Sequence, residues 1–358
     1  MWPDRRILDL LGIDLPILQA PMAGVQRSAL AIAVSDAGGL GALPCAMLRQ
    51  PDIRAEVAAI RRATPRPFNL NFFCHRPPTP DPARDAAWRA RLAPYHRAHA
   101  LDPNTLPAGP TRTPFDAALC DLLEDLRPPV VSFHFGLPAP DLLARLTAIG
   151  TKILATATTV DEAVWLADRG CHAIIAQGYE AGGHRGNFLN HDLATQIGTL
   201  SLVPQIVDAV SLPVIAAGGI ADARTILAAL QLGAAAVQIG TAYLFCPEST
   251  IPPAHRAALR AARPEHTTIT NVLTGRPARG LVTRLIRELG PIAPDAPEFP
   301  LAAGPIAPLR ATVEPTGNLD YTPLWAGQSV HLGRELPAGE LTRTLATECL
   351  ELRTPQPR

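Results

Sequence analysis

The sequence predicts an α/β fold of one kind, a (β/α)8 TIM barrel, and three observations predict it. Short apolar runs recur eight times before residue 246. Each run is continuous instead of alternating, as strands buried on both faces of a parallel sheet are. Helical patterns separate most of the runs, and βα alternation at that rhythm over about 245 residues marks a closed barrel.

In chain order, strands are expected at 16–21, 39–43, 68–73, 129–135, 152–156, 173–177, 213–217 and 235–239. Helices are expected at 28–36, 51–63, 140–149, 160–169, 202–210 and 221–232. The last of these opens on Ala221-Asp222 and stops before Gly233, a common helix terminator. A doubly wound open sheet is the rival architecture.

Two segments break the rhythm. Residues 74–114, rich in Pro, Arg and His, are too long for an ordinary βα loop, so a lid or wall over the barrel mouth is expected there. From Cys246 the barrel pattern is spent: 252–263 and 280–289 look helical, 291–308 reads as Pro-rich loop, and 341–350 as a closing helix. The expected domains are therefore a barrel over 1–245 carrying the insertion, a helical and loop subdomain on the substrate side over 246–320, and a C-terminal segment, 321–358, returning to the barrel.

Composition narrows the function. Lys+Arg and Asp+Glu both total 32, the net charge is zero and the pI is 7.1. A nucleic-acid binder would carry a basic excess, so no nucleic-acid partner is expected. Hydrophobic residues make up 47% against 18% charged, enough to bury a sizeable core. No stretch nears the roughly 20 uninterrupted apolar residues of a membrane helix. The start, Met1-Trp2-Pro3-Asp4-Arg5-Arg6, lacks the layout of a secretory signal. Cys45, Cys74, Cys120, Cys171, Cys246 and Cys349 form no CxxC pair, which points to neither a disulfide framework nor a metal site and suits the cytoplasm. Lys152 is the only lysine among 32 basic residues, a compositional bias without functional content.

In such barrels chemistry sits at the C-terminal strand ends. The first strand runs into Gln19-Ala20-Pro21-Met22-Ala23-Gly24-Val25, where Gly and Pro let backbone approach a flat ligand or simply make a tight turn. Asn69 and Asn71 share one face of the third strand, placed either to bond a heterocycle or to bond neighbouring backbone. His134 interrupts an apolar strand just before Gly136, where an imidazole serves as a general base or acid. The sixth strand leads into Gln177-Gly178-Tyr179-Glu180-Ala181-Gly182-Gly183-His184-Arg185-Gly186, so rich in glycine that backbone laid against a ligand is its simplest explanation. The seventh and eighth strands end in Gly218-Gly219-Ile220 and Gln238-Ile239-Gly240-Thr241, and paired glycine turns there form the phosphate site of many barrels. There is no Walker loop and no Rossmann fingerprint in a strand–helix context.

With these pieces in place, the sequence resembles the nitronate monooxygenases, formerly called 2-nitropropane dioxygenases, in their larger first class. The matching runs are Gln19-Ala20-Pro21-Met22, Asn69-Leu70-Asn71-Phe72, Ser132-Phe133-His134-Phe135-Gly136, the loop from Gln177 to His184, Ala217-Gly218-Gly219-Ile220, Gln238-Ile239-Gly240-Thr241, Thr274-Gly275-Arg276-Pro277-Ala278-Arg279 and Leu324-Trp325-Ala326-Gly327-Gln328. They keep the family order across nearly the whole chain. The resemblance implies FMN held non-covalently by Asn71, Gln177, Gly182, Gly183, Gly218, Gly219, Gln238, Ile239, Gly240 and Thr241, with Pro21, Met22 and Ala23 along the ring. It makes His134 the catalytic base. His184 and Arg185 are candidates for balancing substrate charge, with solvent-facing loop residues as the alternative. One departure stands out: a Lys expected shortly before Gly317-Asn318 is absent between Ala311 and Thr316.

The implied activity is oxidative denitrification, with O2, of alkyl nitronates such as propionate 3-nitronate, or of nitroalkanes, to a carbonyl product and nitrite. A monomer or homodimer with no membrane partner is expected, in detoxification or biosynthesis. Two readings stay beside it: an FMN-dependent NAD(P)H reductase of the enoyl-ACP or quinone type, and a non-catalytic flavin-binding barrel.

Overall fold

A computed structural model describes residue 2, residues 4–103 and residues 112–353. Residues 104–111 of the expected insertion, 354–358 of the expected C-terminal segment, and Met1 and Pro3 lie outside the described residues.

The strands are β1 (Ile17–Gln19), β2 (Gly41–Pro44), β3 (Phe68–Phe73), β4 (Val130–His134), β5 (Lys152–Ala157), β6 (Ala173–Gln177), β7 (Gly183–His184), β8 (Val214–Ala217), β9 (Ala236–Ile239), β10 (Thr267–Thr270) and β11 (Ala278–Leu281). Eight of them form one parallel sheet in the order β1-β9-β8-β6-β5-β4-β3-β2. Leu18 of β1 bridges Leu40 just before β2, so the sheet curls into a nearly closed TIM barrel and the open doubly wound rival is excluded. The first strand is shorter than expected because Pro16 and Pro21 carry no N–H for a ladder.

Register sets the site. Asn71 lies opposite Ser132, and Phe73 opposite His134. Gln177 lies opposite Ala217, which in turn lies opposite Gln238. The residues singled out at strand ends therefore stand at one level of the rim.

Helices Ser28–Asp36, Gln50–Ala63, Pro140–Ala148, Val160–Ala167, Thr199–Ala209 and Ala223–Gln231 occupy the expected places. Asp222 caps the last one, its Oδ1 accepting from the Thr225 N–H at 3.0 Å. Arg6–Leu11 and Ala117–Leu126 are additional helices, the second capped by Asp116 on the Leu119 N–H at 2.9 Å.

Two expectations outside the barrel need correction. Residues 280–289 are not one helix. Gly280 and Leu281 finish β11, which pairs with β10 and with β7, and only Arg284–Leu289 is helical. Strand pairing wins there because the Gly280 Cα sits where a Cβ would meet the Leu324 carbonyl at 2.7 Å, a close approach a helix would not provide. Residues 291–308 are not all loop, since helix Ile306–Val313 starts within them. The 74–114 insertion contains a helix, Pro82–Ala98, whose Trp88 donates its indole N–H to the Ala302 carbonyl at 3.1 Å. Trp88 and Leu92 share a buried cluster with Val272, Leu285 and Tyr321, so the insertion packs on the segment after the barrel. The C-terminal helix Ala338–Arg353 lies against Ser28–Asp36 and Ala223–Gln231, and Tyr243 Oη is 2.7 Å from Thr342 Oγ1. No helix among the described residues is long and apolar enough to cross a membrane.

The barrel wall meets backbone most tightly at Gly41, where a Cβ would stand 1.9 Å from the Ala31 carbonyl oxygen of the overlying helix. That neighbour is backbone and cannot rotate away. Gly41→Ala is expected to cost about 3 kcal/mol, the upper end of overpacking penalties; an unchanged midpoint in chemical denaturation would show that the helix yields freely.

Candidate active site

The C-terminal rim encloses a cavity of about 1400 Å³ of empty space, open solvent included. Pro21, Met22, Ala23, Asn71, His134, Gln177, Gly182, Gly183, His184, Gly218, Gly219, Gln238, Gly240 and Thr241 all line it. Ile239 does not: it is fully buried in the barrel core, and its carbonyl accepts from the Ala20 N–H at 2.8 Å. Alternation along β9 explains this, because Gln238 and Gly240 face inward and Ile239 between them faces away.

Arg185 is the second correction. It is fully buried, outside the cavity wall, and each of its three side-chain nitrogens donates to the chain itself. Nη1 donates to the Gly178 carbonyl at 2.6 Å and Nη2 to the Gln177 carbonyl at 2.8 Å, while Nε donates to Gln196 Oε1 at 3.0 Å. Burial pushes its pKa down to about 10. A guanidinium spent on carbonyls of its own loop is a staple and not a substrate ligand.

The rest of that loop is pinned as firmly. Gln177 donates from Nε2 to the His184 carbonyl at 2.9 Å and accepts the Gly186 N–H on Oε1 at 2.8 Å. Glu180 accepts the N–H of Thr199 at 2.9 Å and its hydroxyl at 2.8 Å, so the carboxylate anchors the N-terminus of helix Thr199–Ala209. Gly183 adopts φ +76°, and nothing lies within 4 Å of where its Cβ would stand, so bare backbone faces the cavity.

His134 sits at the end of β4, directly before Phe135 at φ +72° and Gly136 at φ +95°. The left-handed Phe135 is a strained position for an aromatic residue. Arg276 holds it from above, with its guanidinium 3.9 Å from the ring centroid. The imidazole Nε2 is 3.1 Å from the His184 carbonyl, and Nδ1 is 3.0 Å from Thr156 Oγ1. A carbonyl can only accept, so Nε2 carries the proton and Nδ1 accepts from the Thr156 hydroxyl. Burial, seconded by the nearby guanidinium groups of Arg276 and Arg185, drives the His134 pKa down to about 3. The ring is neutral at ordinary pH. His184 is also held well below its usual value by burial, and its Nε2 lies 3.0 Å from Thr274 Oγ1.

At the far side of the cavity, Gly218 at φ +115° and Gly219 at φ +70° form a concave turn after β8. Gly240 after β9 has only Ala20 and Met22 near its missing Cβ, at 3.4 and 3.9 Å. The C-terminal segment closes over these turns: Gly327 donates its N–H to Thr241 Oγ1 at 2.9 Å, and Ser329 its hydroxyl to the Gly219 carbonyl at 2.7 Å. Of the paired asparagines, Asn71 lines the cavity, whereas buried Asn69 donates to Ser132 Oγ at 2.8 Å.

Sequence reasoning missed several wall residues, among them Arg112, Ser132, Thr156, His255 and Trp325. Ser132 and Thr156 were findable by period-2 alternation beside His134 and at the end of β5. Arg112 carried no signal, because it sits in an irregular segment. Among the described residues no Asp or Glu lines the cavity.

The barrel carries glycine turns after its last two strands and a neutral histidine at the rim, and comparison with known proteins gives the family. The nitronate monooxygenase family model matches residues 4–348. A nitronate monooxygenase of Pseudomonas aeruginosa is 44% identical over 351 residues, covering 96% of this chain and 98% of that one. Among solved structures, a nitroalkane oxidase from Streptomyces ansochromogenes superposes with a TM-score of 0.88 at 40% identity, covering 97% of this chain and 99% of that one. FabK from Thermotoga maritima superposes at 0.73 with 30% identity, covering 97% and 96%. The chain belongs to the nitronate monooxygenase family, a family of flavin-dependent oxidoreductases.

Two outcomes follow from the geometry. Arg185→Met strands three buried acceptors and is expected to lower unfolding stability by about 3 kcal/mol; an unchanged denaturation midpoint would remove the staple role. His134 near 3 and His255 near 4 are both lowered by burial, so they stay neutral in the fold while the unfolded chain protonates them near pH 6.5. Their contribution to stability is intact above about pH 6.5 and lost as the pH falls toward 4, at no more than about 1.4 kcal/mol per pH unit for each histidine. His134→Asn should flatten that slope, measured as unfolding free energy against pH.

Proposed function

We propose that this protein is an FMN-dependent nitronate monooxygenase that converts alkyl nitronates, and less readily nitroalkanes, to carbonyl products and nitrite with O2. The observation that carries the proposal is a neutral histidine at the mouth of a glycine-walled cavity without carboxylates, in a chain 44% identical to a nitronate monooxygenase along its length.

The residues present suit FMN. The concave backbone of Gly218 and Gly219, with Gly240 and Thr241, would hold the phosphate. Asn71, Gln177 and Gln238 would bond the polar edge of the ring, Gly182 and Gly183 would pass bare backbone beside it, and Pro21, Met22 and Ala23 would cover a face. When bound, FMN supplies the oxidising equivalents and the contact with O2. The barrel over 1–245 would carry the cofactor, the 246–320 segment the substrate side, and 321–358 the closure. Six free thiols suit a reducing compartment, the cytoplasm.

This chain's own groups do the placing. His134 stays neutral, with its Nε2–H committed to the His184 carbonyl. Its Nδ1 can take a proton only once the Thr156 hydroxyl turns aside. A base held below its usual pKa draws a proton from a carbon acid less readily than an exposed imidazole, which favours substrates that arrive already deprotonated, the nitronates.

The test is nitrite release from propionate 3-nitronate under air, with the released flavin identified by its spectrum and chromatography. FMN together with nitrite is the expected result. No nitrite, but rapid anaerobic bleaching of the flavin by NADH, would replace this function with the reductase. His134→Asn is expected to cut nitroalkane turnover by about 10² to 10⁴ while sparing nitronate turnover, because a positioned base matters only where a proton must leave. Equal losses on both substrates would take the base role away from His134.

A further inference from the structure

The cavity has a marked charge asymmetry. Arg112 lines it, half-buried, while no Asp or Glu among the described residues does. The Arg112 guanidinium lies 5.2 Å from the centroid of the Phe299 ring. Its Nε has no hydrogen-bond partner among the described residues, and no carboxylate acts on it. The other arginines around the site are different. Arg185 donates to the Gln177 and Gly178 carbonyls, and Arg276 donates to the Asn187 carbonyl while covering Phe135, and neither lines the cavity. Arg279 donates to the Tyr179 carbonyl and lies outside the wall as well.

A chain of aromatic contacts links Arg112 to His134. Phe299, under its guanidinium, contacts the His184 ring at 5.2 Å and the Phe73 ring at 6.3 Å, and Phe73 contacts His134 at 5.9 Å. A half-buried guanidinium with an unpartnered Nε, on a cavity wall that carries no carboxylate among the described residues, is a recognition element for an anion, and its fork matches a carboxylate best.

We propose that Arg112 binds a carboxylate carried by the substrate at the end remote from its nitronate group, and so selects nitronates of short carboxylic acids over plain alkyl nitronates. This rests on the nitronate oxidation proposed above. Phe73 and His184, which line the cavity, stand between the two anionic ends: the nitronate lies toward His134 and the carboxylate at Arg112.

The experiment compares pairs that differ only in the carboxylate. In the anaerobic holoenzyme, 3-nitropropionate and 1-nitropropane are titrated against the flavin absorbance. Under air, propionate 3-nitronate and propyl-1-nitronate are compared by nitrite release. Arg112→Gln is expected to weaken 3-nitropropionate binding, and to raise KM for propionate 3-nitronate, by about 10- to 100-fold. It should leave 1-nitropropane binding, propyl-1-nitronate turnover and kcat near the parent values. Arg112→Lys, which keeps the charge without the fork, should recover part of the loss. Equal weakening of both members of a pair, or of neither, overturns the assignment. Should the parent release no nitrite while Arg112→Gln still loses 3-nitropropionate selectively, nitronate oxidation fails and the anion site stands. Should nitrite form without any selective effect of Arg112→Gln, the anion site fails and the oxidation stands.

Discussion

The carbonyl oxygen of His184 is the acceptor on which the site depends. Two donors converge on it, Nε2 of His134 at 3.1 Å and Nε2 of Gln177 at 2.9 Å. The first fixes the imidazole tautomer, and the second ties the glycine-rich loop to the end of β6. The carbonyl is itself held in place, because Gly183–His184 pairs with Ala278–Leu281 and the Arg185 N–H donates to the Pro277 carbonyl at 2.8 Å. A loop of this composition loses much chain entropy on ordering. Pairing it to a strand that arrives almost a hundred residues later offsets that loss and brings the segment after the barrel into the site.

How much of this was legible follows from where each residue sits. The eight barrel strands were legible because burial on both faces writes a continuous apolar run. His134, Gln177 and the glycines after β8 and β9 were legible because they interrupt such runs at their C-terminal ends. The β10–β11 pair was hidden. Its strands are four residues each, rich in Thr and Arg, and what holds Gly280 in a strand is contact with Leu324 and Trp325, far along the chain. Arg185 looked like a ligand because an arginine in a glycine loop has no local partner. Its acceptors are carbonyls, and sequence does not say where a carbonyl points.

Arg185, Arg276 and Arg279 share one physical logic. An irregular loop leaves main-chain carbonyls that no ladder satisfies. Guanidinium, with five donors in a planar fork, can satisfy several at once. Arg185 serves Gln177 and Gly178, Arg276 serves Asn187, and Arg279 serves Tyr179. These charges are internal, so the zero net charge of the whole chain says nothing about the field inside the cavity.

That field links loop order to protonation. The same guanidinium groups that staple the loop, Arg276 and Arg185, also disfavour a second positive charge on His134, adding to the larger effect of burial. An imidazolium there would have to share the His184 carbonyl region with two fixed cations and no carboxylate. Neutral imidazole therefore comes with the architecture and needs no separate device. Among the described residues the cavity wall itself carries one guanidinium, Arg112, and no carboxylate, while Arg185 and Arg276 act on the imidazole from behind that wall. The staples that order the backbone thus also help keep the His134 ring neutral.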